Sequence, residues 1–200
     1  ISKTLEMMKF ASEFGRWLRA SYPVFLVCTG LYENIMEVCN VKNLTFFRRA
    51  TTVKTEPLSF VGMTEMYRRQ LKVDVEVAKK MAKVTKGYAY AFQELGVLYF
   101  KKKDVEGLDD IIPALKSQLF AYSYEKIWEK LSETDRFLAR ILSEKTEYKR
   151  EEVLVLMGER KEIYSMYRDR LIKRGLVDVR QAYISLSLPF FADYIHDYCL

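Results

Sequence analysis

Few residues in this chain are of a type that does chemistry, and their spacing excludes more than it permits. The only imidazole is His196, three residues after Asp193 in a helical stretch near the end of the chain. Nucleophilic catalysis of the serine-histidine type needs an imidazole held between a nucleophile and an acid, so a lone histidine at a helix end reads as packing. Cys28, Cys39 and Cys199 lie far apart and, with one histidine, offer no paired spacing for zinc. Asp109-Asp110 and Glu151-Glu152 are sequence neighbours. A helix turns such neighbours about 100° apart, so they read as solvated faces. The run Lys101-Lys102-Lys103 attracts anions only as a solvated loop does.

The elements that must position these groups are mainly helical. Half of the 200 residues are apolar and only 8 Gly and 4 Pro interrupt them, so good helix formers dominate and a sizeable core is within reach. No apolar run approaches the roughly 18 residues of a membrane helix, and the start lacks a signal-peptide core. With three cysteines, an odd number in apolar surroundings, the expected setting is a cytoplasm that keeps thiols reduced. A chain beginning at Ile1 is expected to be cut from a longer one. The net charge is +6, but residues 132–200 carry 12 basic and 12 acidic side chains, so the excess lies wholly in residues 1–131.

Periodicity predicts an amphipathic helix over 3–20, a strand at "VFLVC", a short helix at "LYENIMEVCN" and a second strand in "RRATTVKTEPLS" that stops at Pro57. Helices follow at about 64–72, 74–85, 88–101 and 108–130. "LSETD" is a capping box that opens a helix at 133. Further helices end at Gly158 and Gly175, and a β-hairpin and a last helix close the chain. Three helices and a hairpin is the order of a winged helix, in which the third helix turns Ile163, Tyr167 and Leu171 inward and Lys161, Tyr164, Ser165 and Arg168 outward. The fold class expected is mostly α with small β parts.

The stretches "YPVFLVCTGLYENI", "LTFFRRATTVKTEPLS", "TKGYAYAFQELG" and "GLVDVRQAYISLSLPFFADYI" jointly resemble the C-terminal half of a bacterial or archaeal AAA+ or STAND-type P-loop ATPase, close to the origin-recognition group. The resemblance implies three parts: residues 1–60 as a remnant of the α/β ATPase core, 61–130 as a helical lid, and 131–200 as a winged helix. It implies that Thr29 ends the sensor 1 strand, where a hydroxyl orients water or the terminal phosphate, and that Arg49, with Arg48 beside it, is an arginine finger or sensor. Gly87 and Tyr88 would open a lid helix beside the adenine, with Ala89 where relatives often carry proline. From the residues alone, Thr29 is equally a turn residue, Arg48-Arg49 a solvated pair, and Tyr88 part of a core.

No glycine is followed by Lys-Ser or Lys-Thr, and no apolar strand ends in Asp-Glu. The backbone cradle for phosphates and the magnesium site are thus missing, and this chain alone is expected neither to bind nor to hydrolyse ATP. ATP and magnesium would belong to the full-length protein, whose N-terminal ATPase half is the first partner implied. A further protein partner or a second copy is the next, and no membrane is expected. Two other classes stay open: a winged-helix DNA-binding regulator with an N-terminal dimerisation module, and a nucleotide-free interaction scaffold. For DNA, Lys161, Tyr164, Arg168 and Arg180 would form the contact patch.

Overall fold

A computed structural model describes residues 3–30, 32–42, 44–53, 55–103 and 105–199. The chain divides into two compact units, residues 1–55 and 56–200.

The first unit holds α1 (Leu5–Arg19), α2 (Tyr32–Cys39) and α3 (Thr45–Arg49). Thr4 caps α1 by accepting from the Met7 amide at 3.2 Å. Among the described residues its core cluster holds Ala11, Val38, Leu44 and Phe47, and Phe14 is buried as well. Neither strand expected here forms among the described residues; Lys54, within the second, lies outside them. Residues 24–30 belong to no helix or strand, and the only sheet among the described residues lies in the second unit. Leu26 and Cys28 pack against the small core, whereas Phe25 is 89% and Val27 77% exposed. Burial pushes the Cys28 thiol pKa up. In the second stretch, Thr45–Arg49 is helical and the residues after it are irregular. A strand needs a neighbouring strand to accept its amides.

The second unit is helical up to residue 143: α4 (Phe60–Leu71), α5 (Val75–Thr85), α6 (Ala89–Lys102), α7 (Leu108–Leu119), α8 (Glu125–Glu129) and α9 (Glu133–Ser143). Caps open several of them. Ser59 accepts from the Gly62 amide, Asp74 from Glu76 and Val77, and Ser132 exchanges bonds with Asp135 in the expected capping box. The single helix expected over 108–130 is continuous but widens to a π turn at Phe120–Tyr124.

After α9 come β1 (Tyr148–Lys149), α10 (Arg150–Met157), a 3-10 turn (Gly158–Ile163), α11 (Tyr164–Lys173), β2 (Val177–Arg180), β3 (Tyr183–Leu186) and α12 (Phe191–Tyr198). The antiparallel sheet has the order β1-β3-β2, with Tyr148 opposite Ile184 and Val179 opposite Ile184 on the other side. One core cluster runs from Tyr67 to Cys199, so the helices before residue 131 and the elements after it share a single interior.

Three buried phenols give this core an alkaline limit. Burial pushes the pKa of Tyr67, Tyr124 and Tyr194 up, Tyr194 to about 12. Tyr67 donates to the Phe92 carbonyl at 2.6 Å and Tyr124 to the Pro189 carbonyl. The folded state holds these protons more tightly than the unfolded chain, whose phenols titrate near pH ~10. Their contribution is therefore complete below about pH 10 and, for Tyr194, lost as pH rises through about 12. Alkaline titration followed by phenolate absorbance and circular dichroism should show a late tyrosine phase that coincides with unfolding.

Candidate functional site

The segment from α9 to the hairpin is organised by one buried carboxylate. Asp135, fully buried in the first turn of α9, accepts from Arg170 of α11 with Nε–Oδ1 at 2.9 Å and Nη2–Oδ2 at 2.6 Å. Arg170 also donates to the Ser132 hydroxyl, and Arg174 stands 3.9 Å from the same carboxylate and donates to the Lys130 carbonyl at 3.2 Å. A bidentate pair of this kind fixes orientation as well as distance, and here it sets α11 against α9. Other arginines are also spent on packing. Arg136 donates to the Trp128 and Glu129 carbonyls, and Arg140 to Cys199.

The cations left over gather beside α11. Lys149 and Arg150 open α10, Tyr164 and Arg168 lie on α11, and Tyr183 comes from the hairpin; together they line a cleft of about 400 Å³. Lys149 lies 5.9 Å from the Tyr183 ring centre, and Arg150 and Arg168 lie 6.0 and 5.7 Å from that of Tyr164. Asp169 takes two hydrogen bonds from Arg168 and raises its pKa further. Burial raises the Tyr164 pKa against the pull of both arginines. The hairpin tip is tight: Gln181 and Ala182 both have positive φ, 48° and 72°, as a two-residue type I′ turn requires. Lys149 and Arg150 beside two rings, with Arg168 already paired to Asp169 and Glu151 also in the lining, make a surface that suits anionic, planar groups. No nucleophile beside a base lines the cleft.

Of the contact patch expected from the sequence, Lys161 and Arg180 are exposed, Arg180 pairing with Asp178 at 2.6 Å, and Arg168 is half-buried. Tyr164 does not face outward; it is buried, because it stands three and seven residues before Tyr167 and Leu171 within α11 and so shares their inward face. Lys149 and Arg150 escaped notice in the sequence because they stand at the start of α10, whereas patch residues were sought on α11. Glu152, read as a solvated face, accepts from the Lys149 amide at 2.7 Å and from Lys145 at 3.0 Å, which holds its pKa below the usual carboxylate range.

The candidate nucleotide contacts fall in both units: Thr29, Arg48 and Arg49 in the first, Gly87 and Tyr88 in the second. Arg48 lies within α3 and donates to the Cys39 carbonyl at 2.9 Å, closing the end of α2. Arg49 is exposed at the end of α3, and Thr29 is exposed in the segment between α1 and α2. Gly87 has φ +80°, and a Cβ there would stand 2.9 Å from the Leu58 carbonyl. Gly87→Ala should therefore lower stability by about 2 kcal/mol through strain plus the clash, read as a shift of the urea midpoint. Tyr88 caps α6 and its hydroxyl lies 2.7 Å from Ser123 Oγ in the π turn. His196 faces Glu144 at 3.5 Å, and Asp193 pairs with Lys116. Among the described residues no helix is long and apolar enough to cross a membrane.

Comparison with known proteins adds one match. A family model described as "Domain of unknown function (DUF8462)" covers residues 121–195, from the π turn into α12. No curated protein and no solved structure matches the chain.

Proposed function

We propose that the chain is the C-terminal part of an ATP-binding AAA+/STAND-like ATPase, comprising a remnant of its α/β core, its helical lid and its winged helix. In that role it is the moving, partner-sensing half of a nucleotide switch. The observation that carries this reading is the apolar stretch at 24–28, which belongs to no helix or strand and leaves Phe25 and Val27 in solvent. Apolar β-type residues left outside a sheet suit a strand whose neighbours are supplied elsewhere. The order helix, strand, two helices, hairpin, with β1 against β3, agrees with a winged helix. ATP and magnesium would be held by the missing half, and lid closure would carry the winged helix with it.

The test compares this chain with the same chain extended upstream through a phosphate-binding loop. Equilibrium dialysis should detect ATP on the extended protein and not on the 200 residues. Magnesium-dependent ATP hydrolysis by the 200 residues alone would overturn the proposal.

A second reading, a DNA-binding regulator, is favoured by the cleft of Lys149, Arg150 and Tyr183. It requires duplex affinity that falls steeply with salt, and further when Lys149 and Arg150 are replaced by alanine. Affinity insensitive to both would dismiss it.

A further inference from the structure

The cleft of about 400 Å³ where α10, α11 and the hairpin meet is lined by two unlike sets of side chains. Lys149 and Arg150 are the charged set. Both are exposed, and among the described residues neither makes an ion pair, whereas Lys145, Arg168 and Arg180 are matched to Glu152, Asp169 and Asp178. The hairpin supplies the apolar set, Val179, Ala182 and the ring of Tyr183. Strand register holds the two sets side by side. Lys149 stands opposite Tyr183 in the β1–β3 pairing, with its ammonium 5.9 Å from the ring centre. Glu151 also lines the cleft and opposes any anion that enters.

We infer that this cleft binds an aryl phosphate, a benzene ring carrying a doubly charged phosphate, either as a small molecule or as a phosphotyrosine side chain of a partner protein. The phosphate accepts from Arg150, a planar fork, and from Lys149, a point charge, which together match its roughly two negative charges and three acceptor oxygens. The ring lies against Tyr183 and Val179, where ring-to-ring contact contributes beyond the area buried. A cleft of this size falls at the lower end of the about 300–1,000 Å³ of small-ligand sites. Neighbouring acids disfavour a nucleic-acid strand, which presents a phosphate every ~3.4 Å along its axis and needs a row of cations. Glu151, Asp169 and Asp178 interrupt any such row here.

Isothermal titration of the full chain with phenyl phosphate, inorganic phosphate, duplex DNA, and a tyrosine peptide with and without phosphate tests the site. Phenyl phosphate should bind at least about tenfold more tightly than inorganic phosphate, because only it meets both sets of lining side chains. Replacing Lys149 and Arg150 together by glutamine should weaken it about tenfold or more, and Tyr183→Leu should bring it close to inorganic phosphate. Glu151→Gln keeps the length of the side chain and removes its charge, so it should tighten phenyl phosphate by about threefold. A misfolded variant cannot produce that gain. A phosphotyrosine peptide that binds more tightly than phenyl phosphate would identify a partner protein as the source, and equal or weaker binding would identify a small molecule. The inference is overturned if phenyl phosphate does not bind at millimolar concentration, if inorganic phosphate binds as tightly, or if neither charge substitution changes the affinity. Duplex DNA that outcompetes phenyl phosphate would overturn it as well and give the cleft to the DNA-binding reading. The site does not rest on the ATPase reading, whose upstream-extension test uses none of these side chains. In ATP a ribose separates the ring from the phosphates, so the expectation that the 200 residues do not bind it is unchanged.

Discussion

Asp135→Ala will lower the unfolding free energy of the second unit by about 3–5 kcal/mol. Removing the carboxylate leaves Arg170 with two donors aimed at a fully buried position and takes away an acid 3.9 Å from Arg174. An uncompensated charge next to a dry interior costs more than the intact pair ever contributed, since the pair itself must overcome its desolvation. For the same reason, combining Asp135→Leu with Arg170→Met should recover most of the loss. Urea unfolding read from Trp128 in a Trp17→Phe background reports on the second unit alone, because Trp128 packs within its core and Trp17 belongs to the first unit. A midpoint shifted at unchanged slope is the expected signature. A loss below about 1 kcal/mol, the size of a surface ion pair, would mean that water reaches this carboxylate. The cleft should weaken with it, because the same pair orients α11, which carries Tyr164 and Arg168.

Phe191→Ala should cost a similar amount, about 3–5 kcal/mol, from lost transfer energy plus the cavity left behind. Phe191 is fully buried and lies edge-on to Tyr124 at 5.1 Å and to Trp128 at 6.4 Å, with Tyr194 stacked at 6.0 Å. Those rings come from the π turn, α8 and α12, so the cavity opens where three elements meet and none can close it by shifting alone. Phe191→Leu, which keeps most of the volume, should lose about 1.5 kcal/mol or less. Thermal unfolding of the three proteins measures the series, and equal losses for leucine and alanine would argue against a packed ring cluster. The contact with Trp128 predicts that its emission moves to the red in the alanine variant before unfolding begins.

The helices of the second unit were legible because each carries its own signals. Asp74, Ser132 and the glycines at 158 and 175 mark ends by local hydrogen bonds or by positive φ, which do not depend on distant residues. The hairpin at 177–186 was legible for a related reason, since its two strands are each other's neighbours across a two-residue turn. The strands expected at 24–28 and after Arg49 were not, because an apolar β-type run states only that a residue prefers an extended path. Whether it becomes a strand depends on an acceptor that the run does not encode. Tyr164 was put on the wrong face: it stands three and seven residues before Tyr167 and Leu171, which were expected inward, and such spacings share one side of a helix.

What the sequence by itself determined is therefore local. It set the mostly helical class, the ends of most helices in residues 60–198, the hairpin, and the lack of a phosphate-binding loop, because caps, turns and periodicity act within a few residues. Only the tertiary structure decided which charges meet. Asp135 with Arg170, Lys116 with Asp193, and Lys149, Arg150 and Arg168 around two tyrosines are all pairings across elements, many of them tens of residues apart. Such contacts depend on how helices cross and which face each buries, and electrostatic attraction at a few ångströms follows that packing instead of directing it.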